Sequence, residues 1–310
     1  MAGLRLDGRT AIVTGAGGAP SMGRAHAMLL ARLGANVVVN DIGAAVETPG
    51  YADVASAEAV ASEIRALGGV AVADTHSVAE DESAAAIIQT ALDAFGAVDI
   101  LVNNAAFSIT TPFDVLTPRD FERHIQVNLM GPVRTCRAAW PHMRAKGYGR
   151  IINIASGAIA GAAGVSAYGA SKGGLFSFTR CLASEGEDLG IKVNAMNPGA
   201  FTRLVMATQR EGSLIYDTMK KLPAELVSPV VAYLAHEDCP VTGECIDASG
   251  GAVYRTYLAR TEGFCDPELT IDKVAVRWDE VMAGAAPSII GYGANEIGSG
   301  AKPYDPATRP

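Results

Sequence analysis

The stretch TAIVTGAGGAPSMGRAHAMLLARLG, residues 10–34, decides the fold. It begins with a short apolar run over residues 10–15, which predicts a buried β-strand, and it continues from residue 23 with apolar residues at helical spacing that end at Gly34. A glycine-rich turn separates the two elements. Because such a turn lets backbone N–H groups and a helix N-terminus face a phosphate, this stretch predicts a phosphate-binding strand–turn–helix unit.

Strand and helix patterns alternate over the first 250 residues. Apolar runs predict further strands at 36–41, 70–75, 99–106, 150–156 and 243–251, and helical spacing predicts helices at 57–68, 82–96, 118–146, 166–186 and 223–236. Strands that alternate with helices form a parallel sheet covered on both faces, so we expect an α/β, doubly wound, Rossmann-type sheet of about seven strands. We expect residues 43–56 to form a loop, 1–251 one domain, and 252–310 an extension packed on that domain or on a neighbouring subunit.

Composition limits the possible functions. The chain has 310 residues, of which 49% are apolar and 19% charged, values typical of a globular protein. The net charge is −8 and no basic patch stands out, which argues against a nucleic-acid partner. No apolar run is long enough to span a membrane, the N-terminal MAGLRLDGRT lacks a signal-peptide core, and the C-terminal ATRP is not a peroxisomal tripeptide. We therefore expect a cytoplasmic protein without a membrane segment.

The cysteines do not indicate a metal site. Five are present, and none forms a C-x-x-C pair. His236 and Cys239 lie close in sequence, but two residues are not a tetrahedral zinc set. The expectation is free thiols in a reducing compartment and no bound metal.

Asp41 makes the glycine turn a more specific signal. It ends the second predicted strand, 18 residues after Gly23, where a carboxylate can accept hydrogen bonds from the ribose hydroxyls of an adenosine dinucleotide. A carboxylate there would repel a 2′-phosphate, and the next residue is Ile42 rather than an arginine. We therefore expect NAD rather than NADP. The structural alternative is that Asp41 is only a turn residue at the strand end.

The motif Tyr168-Gly-Ala-Ser-Lys172 carries the strongest chemical signal. Its i, i+4 spacing places a phenol and an ammonium group on one helix face, and a nearby cation lowers the pKa of a tyrosine. The spacing is common by chance on helices. Here it follows Ser156 by 12 residues, with VNNAA (102–106) and QVNLMG (126–131) upstream. This order is hard to obtain by chance.

With these motifs, residues 7–251 resemble the short-chain dehydrogenases/reductases. The resemblance implies that Tyr168 is the catalytic acid/base and that Lys172 holds the nicotinamide ribose and biases the tyrosine pKa. Ser156 would hydrogen-bond the substrate oxygen, with Ser166 as a fallback because the Ser-to-Tyr spacing is commonly 13. Asn128 matches the family asparagine that kinks the long helix and holds a water relayed to the lysine.

The resemblance also implies a set of cofactor contacts. They are Gly15, Ser21, Met22, Gly23, Asp41, Ser77, Val78, Asn104, Ala105, Tyr168, Lys172, Pro198 and Thr202. The sequence departs from the family pattern in the glycine turn, which is two residues longer and has Ser21 in place of the middle glycine. It also departs at His76, where an aspartate is usual, and at Ala106, where a glycine is usual. We expect Ser21 to lie against the cofactor phosphates or the nicotinamide ribose.

Within the family, VVVNDIG, SEIRALGGVAVADTHSV and TALDAFGAVDILVNNA resemble the dehydrogenase domains of the peroxisomal multifunctional enzymes type 2, also called 17β-hydroxysteroid dehydrogenases type 4. The resemblance implies reversible hydride transfer between a secondary alcohol and a ketone on an apolar substrate, either a hydroxysteroid or a (3R)-hydroxyacyl-CoA. Residues 201–216 would form a substrate lid, the alternative being a solvated helix pair. Candidates to meet a CoA group are Arg203, Arg210, Lys220 and Lys221.

Two other functions stay open. The spacing from Gly15 to Ser21 resembles the loop of enoyl-thioester reductases, although those enzymes place tyrosine and lysine six residues apart and not four. A catalytically silent NAD-binding scaffold is the second alternative, and loss of one of the four catalytic residues would favour it; none is lost. Family members pair subunits through the helices predicted at 118–146 and 166–186, so we expect a homodimer or homotetramer.

Overall fold

The structure, a computed structural model, describes residues 3–43, 57–284 and 287–291. Within these residues, eight strands form the main sheet: β1 (Thr10–Thr14), β2 (Asn36–Asn40), β3 (Val70–Asp74), β4 (Ile100–Asn103), β5 (Gly149–Ile154), β6 (Ile191–Gly199), β7 (Cys245–Ser249) and β8 (Ala252–Thr256). The α-helices described before residue 256 are α1 (Met22–Arg32), α2 (Ala57–Ala66), α3 (Asp81–Phe95), α4 (Pro118–Ile125), α5 (Gly131–Lys146), α6 (Ser166–Gly186), α7 (Arg203–Thr208), α8 (Leu214–Met219) and α9 (Ser228–Ala235).

The strand order in space is β3-β2-β1-β4-β5-β6-β7-β8. Every pairing from β3 to β7 is parallel, and Ile12 in the middle of β1 is in register with Val38 and Leu101 on its two sides. The direction of winding reverses between β1 and β4, and open sheets of this kind bind ligands at such a switch point. The doubly wound α/β fold expected from the sequence is confirmed.

The core explains why these strands are apolar throughout. Val13, Val39 and Val102 are completely buried, because helices cover both faces of a parallel sheet. On α1, Ala27 and Leu30 are also completely buried. Since burial of a large aliphatic side chain contributes roughly 2 kcal/mol, the sheet holds the loops at its carboxyl edge on a rigid support.

Four elements differ from the sequence expectation, and one of them is β8, which lies in the main sheet although residues 252–256 were expected to belong to the extension. The helix expected at 118–146, in which the resemblance placed a kink at Asn128, is interrupted there by a π-helical turn at Gln126–Met130, between α4 and α5. The helix expected at 223–236 begins as a 3-10 turn, Ala224–Leu226, and restarts at Ser228, since Pro229 lacks the N–H that a continuous helix would need. Strand β6 was not assigned from sequence because Lys192, Asn194 and Asn197 interrupt its apolar run.

Contacts divide the chain into two units, Met1–Arg255 and Thr256–Pro310. The second unit contains a two-stranded antiparallel sheet, β9 (Ala259–Arg260) and β10 (Ser288–Ile289), and two short helices, α10 (Ile271–Val276) and α11 (Trp278–Met282). The loop expected at 43–56 lies, except for Gly43, outside the described residues, as do residues 292–310.

No helix among the described residues is long and apolar enough to cross a membrane. The same part of the chain contains no group of three or more His, Cys, Asp or Glu side chains that could hold a metal ion.

Candidate active site

A cavity of about 860 Å³ opens at the carboxyl edge of the sheet, next to the switch point between β1 and β4. Residues that follow β1 to β6 line it, together with residues of α4, α6, α7 and α8. Its volume lies within the range of small-molecule and cofactor sites. The predicted site residues that line it are Gly15, Ser21, Met22, Asp41, Ser77, Val78, Asn104, Ala105, Ser156, Tyr168, Lys172, Pro198 and Thr202. Gly23 and Asn128 are buried behind its wall.

The glycine turn at residues 15–23 needs its glycines for space. Gly15 has a φ of +64°, and a Cβ there would lie 2.7 Å from the Cα of Ala105. A Cβ on Gly23 would lie 2.3 Å from the carbonyl oxygen of Gly15, and one on Gly17 would lie 2.7 Å from Cγ of Asp41. The turn is therefore packed against the loop that follows β4, and its backbone forms one wall of the cavity.

Asn104 holds this turn in place. Its Nδ2 donates to the carbonyl oxygens of Thr14 and Gly15 at 2.9 and 3.0 Å. The backbone N–H groups of Asn104 and Ala105 both donate to Oγ1 of Thr14 at 3.0 Å. The end of β1 and the end of β4 are thereby fixed to each other, with Asn104 and Ala105 on the cavity wall.

Asp41 and Ser21 shape the cavity on either side of the turn. The two carboxylate oxygens of Asp41 accept hydrogen bonds from the N–H groups of Gly17 and Gly43, each at 2.8 Å. Ser21 is the N-cap of α1, and its Oγ accepts from the N–H of Arg24 at 3.4 Å. The first turn of α1 carries no acidic side chain. No carboxylate of that turn therefore offsets the positive end of the helix dipole.

The part of the cavity wall that follows β3 is held by the buried carboxylate of Asp74. Asp74 accepts a hydrogen bond from Nδ2 of Asn40 at 2.6 Å, and its Oδ2 lies 2.8 Å from Nδ1 of His76. Oγ of Ser77 accepts from the N–H of Ala79 at 3.1 Å. His76, which stands where an aspartate is usual in the family, is therefore held by its contact with Asp74, and it lines the cavity.

Tyr168 and Lys172 lie one helical turn apart on α6 and both line the cavity, as does Ser156. Lys172 is 1% exposed, its Nζ donates to the carbonyl oxygen of Ile154 at 2.6 Å, and Nζ is 5.7 Å from the centre of the Tyr168 ring. Burial lowers the pKa of Lys172 from 10.5 to about 7. Ser156 caps a 3-10 turn, and its Oγ accepts from the N–H of Ala158 at 3.2 Å.

Asn128 occupies the π-helical turn and is completely buried. Its Oδ1 accepts from the N–H of Phe107 at 3.0 Å, and its Nδ2 donates to the carbonyl oxygen of Phe107 at 2.9 Å and to Oγ of Ser171 at 3.2 Å. Oγ of Ser171 in turn donates to the carbonyl oxygen of Tyr168 at 2.8 Å. The side chain of Asn128 therefore ties the loop after β4 to the helix that carries Tyr168.

His124 packs behind the site, against Phe107 and Tyr168, and the sequence reasoning missed it. It is completely buried, stacks on Phe107 with ring centres 4.5 Å apart, and meets Tyr168 edge-on at 6.5 Å. Its Nε2 accepts from the N–H of Ile109 at 3.1 Å while Nδ1 donates to the carbonyl oxygen of Asp120 at 2.7 Å. These bonds fix one neutral tautomer, and burial lowers the pKa of His124. Its position four residues before Asn128 was the one signal available in sequence.

The segment 201–216 contributes part of the cavity lining. Leu204, Val205, Ile215 and, just beyond, Met219 line it from α7 and α8. That this segment forms a lid stays a prediction. Of the four basic residues considered for a CoA group, Arg203 lines the cavity and Arg210, Lys220 and Lys221 do not. Two arginines of α4 that the sequence reasoning did not consider, Arg119 and Arg123, also line it.

The parallel sheet, the glycine turn at its switch point and the Tyr168–Lys172 pair are the arrangement found in oxidoreductases of the Rossmann type. The family model for short chain dehydrogenase matches residues 9–213. The chain belongs to the short-chain dehydrogenase family, whose members normally bind a nicotinamide cofactor.

Individual relatives cover different shares of their own length. A short-chain type dehydrogenase/reductase of Mycobacterium tuberculosis is 40% identical over 289 residues, which are 93% of this chain and 98% of the relative. Peroxisomal multifunctional enzyme type 2 of Drosophila melanogaster is 38% identical over 284 residues, which are 90% of this chain and 46% of the relative. The crystal structure of a short chain dehydrogenase from Mycobacterium avium has a TM-score of 0.76 at 35% identity, covering 92% of this chain and 98% of that chain. The chain thus spans about half of the peroxisomal enzyme.

Proposed function

We propose that the chain is an NAD-dependent alcohol dehydrogenase and ketoreductase, with Tyr168 as its acid/base. The observation that carries this proposal is the position of the buried Lys172 amine, 5.7 Å from the Tyr168 ring, at a cavity that Ser156 also lines. A cation at this position stabilises a phenolate, and a tyrosine with a lowered pKa can exchange a proton with an alcohol near neutral pH.

The positions of the residues support the roles that we propose for them. In the direction of oxidation, the Tyr168 phenolate accepts the proton of the substrate hydroxyl, and the Ser156 hydroxyl donates a hydrogen bond to the substrate oxygen. Lys172, whose pKa is about 7, can hold or release a proton at working pH. Asn128 acts as a positioning residue, because it fixes Phe107 and the turn of α6 at Tyr168. Bound NAD would supply the acceptor for the two electrons removed from the substrate carbinol.

The residues present fit a dinucleotide. Protein atoms occupy the space that a Cβ on Gly15 or Gly23 would fill, so the backbone of the turn is packed closely against its neighbours. The turn forms one wall of the cavity, and without side chains at these glycines a phosphate chain can approach its backbone. Each oxygen of Asp41 accepts one backbone hydrogen bond, and a carboxylate oxygen can accept a second from a ribose hydroxyl. The same charge would repel a 2′-phosphate, which favours NAD over NADP.

The substrate that we propose is apolar, a hydroxysteroid or a (3R)-hydroxyacyl-CoA. Support comes from the apolar lining contributed by Phe107, Leu204, Val205, Ile215 and Met219, and from the similarity to a peroxisomal multifunctional enzyme. Arg119 and Arg123 line the same cavity and could meet an anionic group of an acyl-CoA. A steroid needs neither arginine.

A substrate screen tests the proposal. We expect NADH formation when 3-hydroxyacyl-CoA esters and 3- and 17β-hydroxysteroids are offered with NAD, and a much slower reaction when NADP replaces NAD. Equal rates with the two cofactors would contradict the role of Asp41. No turnover of any secondary alcohol by a protein that still binds NADH would contradict the enzymatic proposal and favour a silent NAD-binding scaffold.

We further propose a homodimer or homotetramer that pairs through α5 and α6. Both helices carry apolar side chains that are only partly buried in the single chain, among them Val133, Trp140, Phe178 and Leu182. All five cysteines are free thiols, which is consistent with the reducing cytoplasm that we propose as the location.

A further inference from the structure

Arg203 joins the substrate-side helix α7 to the glycine turn. Its backbone N–H donates to the carbonyl oxygen of Pro20 at 3.2 Å, and its Nη2 donates to the carbonyl oxygen of Gly17 at 2.5 Å. Gly17 also donates its own N–H to Oδ2 of Asp41 at 2.8 Å. The middle of the turn is therefore held from two sides, by a carboxylate at the end of β2 and by a guanidinium group at the start of α7.

The backbone contact of Arg203 falls in the lengthened part of the turn. The two residues by which the turn exceeds the family pattern lie around Pro20, whose carbonyl group is the one that accepts from the Arg203 backbone. The longer turn thus reaches the first residue of α7.

The contact between Arg203 and the turn places a positive charge at the cavity wall. Arg203 lines the cavity, and its backbone N–H is bonded to Pro20, the residue before Ser21, which is the N-cap of α1. A guanidinium group stays charged over the whole working pH range. The positive end of the α1 dipole and the Arg203 cation therefore lie on the same part of the cavity wall, where an anionic group would be stabilised by both.

We propose that Arg203 binds the pyrophosphate of the dinucleotide in addition to holding the glycine turn. This inference rests on the proposed use of a nicotinamide dinucleotide. The sequence suggested Arg203 as a contact for the CoA group of a substrate. The proposal assigns it to the cofactor instead, because its guanidinium group is bonded to Gly17 in the glycine turn.

Calorimetric titration tests the proposal with three probes: NADH, ADP-ribose and adenosine. If Arg203 contacts the pyrophosphate, Arg203→Met should weaken the binding of NADH and ADP-ribose by about 10- to 100-fold, the value of a charge-assisted hydrogen bond. Adenosine lacks phosphate, and its affinity should stay unchanged. Added salt should weaken NADH binding to the unmodified protein more than to Arg203→Met. Salt screens the attraction between Arg203 and the pyrophosphate, and the variant lacks this attraction.

Two further variants separate charge from structure. Arg203→Lys keeps the positive charge and should keep the salt dependence of NADH binding, even if the bond to Gly17 is less well oriented. Arg210→Met is the matched control, since Arg210 lies on the same segment, is exposed and does not line the cavity. It should bind NADH as the unmodified protein does.

Two results would overturn the proposal. One is unchanged NADH affinity in Arg203→Met. The other is an equal loss of affinity for NADH, ADP-ribose and adenosine with no change in salt dependence, which would mean that Arg203 only supports the turn. If the unmodified protein binds neither NADH nor NADPH, the proposed function itself fails, and this inference fails with it.

Discussion

At the scale of single residues, the site depends on an amine group that the fold keeps out of water. Lys172 is almost completely buried, and its Nζ has a backbone carbonyl oxygen, that of Ile154, as a partner. A buried ammonium group is costly unless it is compensated, so the pKa of Lys172 falls to about 7. Burial of Lys172 therefore costs the fold stability, and in the proposed function the gain is a group near Tyr168 that exchanges protons.

This cost can be measured without knowing the substrate. The pKa of Lys172 is about 7 in the fold and 10.5 as its ordinary value, so between these limits the unfolded chain binds one more proton than the folded chain. The free energy of unfolding should then rise with pH by roughly 1.4 kcal/mol per pH unit, relative to Lys172→Met, which carries no such proton. Below pH 7 the difference between the two proteins should become independent of pH.

Urea unfolding of both proteins at several pH values in this window provides the measurement. Because the proposed function couples Lys172 to the Tyr168 phenol, both proteins should also carry Tyr168→Phe; the difference between them then isolates Lys172, since the other groups that titrate in this range are common to both. Unfolding free energies that change in parallel for the two proteins would show that Lys172 keeps its ordinary pKa, and the proposed proton exchange near neutral pH would lose its support.

Some residues of the site could be predicted from sequence and others could not, for a physical reason. Tyr168 and Lys172 are four residues apart on one helix, so their proximity follows from helix geometry alone. The bond from Arg203 to Gly17 joins residues 186 positions apart, and His124 meets partners from three different segments. Local spacing carries no information about such contacts, because packing of the whole domain decides them.

At the scale of elements, the glycine turn is the most constrained segment near the cavity. A Cβ on Gly23 would lie 2.3 Å from the carbonyl oxygen of Gly15 and 2.6 Å from Nδ2 of Asn104. Gly23→Ala must therefore displace the turn or break the Asn104 bonds, and overpacking of this kind typically costs about 1 to 3 kcal/mol. We expect a lower unfolding temperature and weaker NADH binding, measured by calorimetry.

Gly157→Ala is a suitable control for this variant. A Cβ on Gly157 would meet no heavy atom within 4 Å, and its φ is not in the left-handed region. NADH affinity and unfolding temperature should both stay close to those of the unmodified protein. If Gly23→Ala behaved like this control, the close packing of the turn against Asn104 would not be required for cofactor binding.

The elements also show where periodicity is insufficient. The apolar pattern over 118–146 is that of one helix, yet the turn at Gln126–Met130 is π-helical, with Asn128 held at its centre by Phe107. A local widening of a helix leaves the surrounding apolar spacing nearly intact, so the pattern cannot reveal it. Strand β6 was missed for the opposite reason. Its Asn194 and Asn197 are polar but buried, and their side-chain amides donate to the carbonyl oxygen of Val241 and to the carboxylate of Asp247. A search for an apolar run therefore does not detect this strand.

At the scale of the whole molecule, the proposed pairing through α5 and α6 makes a prediction about association. Sedimentation equilibrium should show a dimer or a tetramer. Ser177→Arg should shift the protein toward the monomer, because Ser177 is exposed on α6 in the single chain and a large charge there would be buried in the interface. Gln89→Arg, on the exposed side of α3, should leave the assembly unchanged. A monomer at all concentrations would contradict the proposed pairing.

The central claim is that Tyr168 exchanges a proton with the substrate while the rest of the site binds the dinucleotide. Tyr168→Phe removes one hydroxyl group and leaves the ring beside His124 and Lys172. With a substrate identified by the screen, turnover with NAD should fall by at least about 100-fold, the contribution of a general acid or base. NADH should still bind with an affinity close to that of the unmodified protein. Turnover near the original rate, with NADH binding intact, would contradict the account.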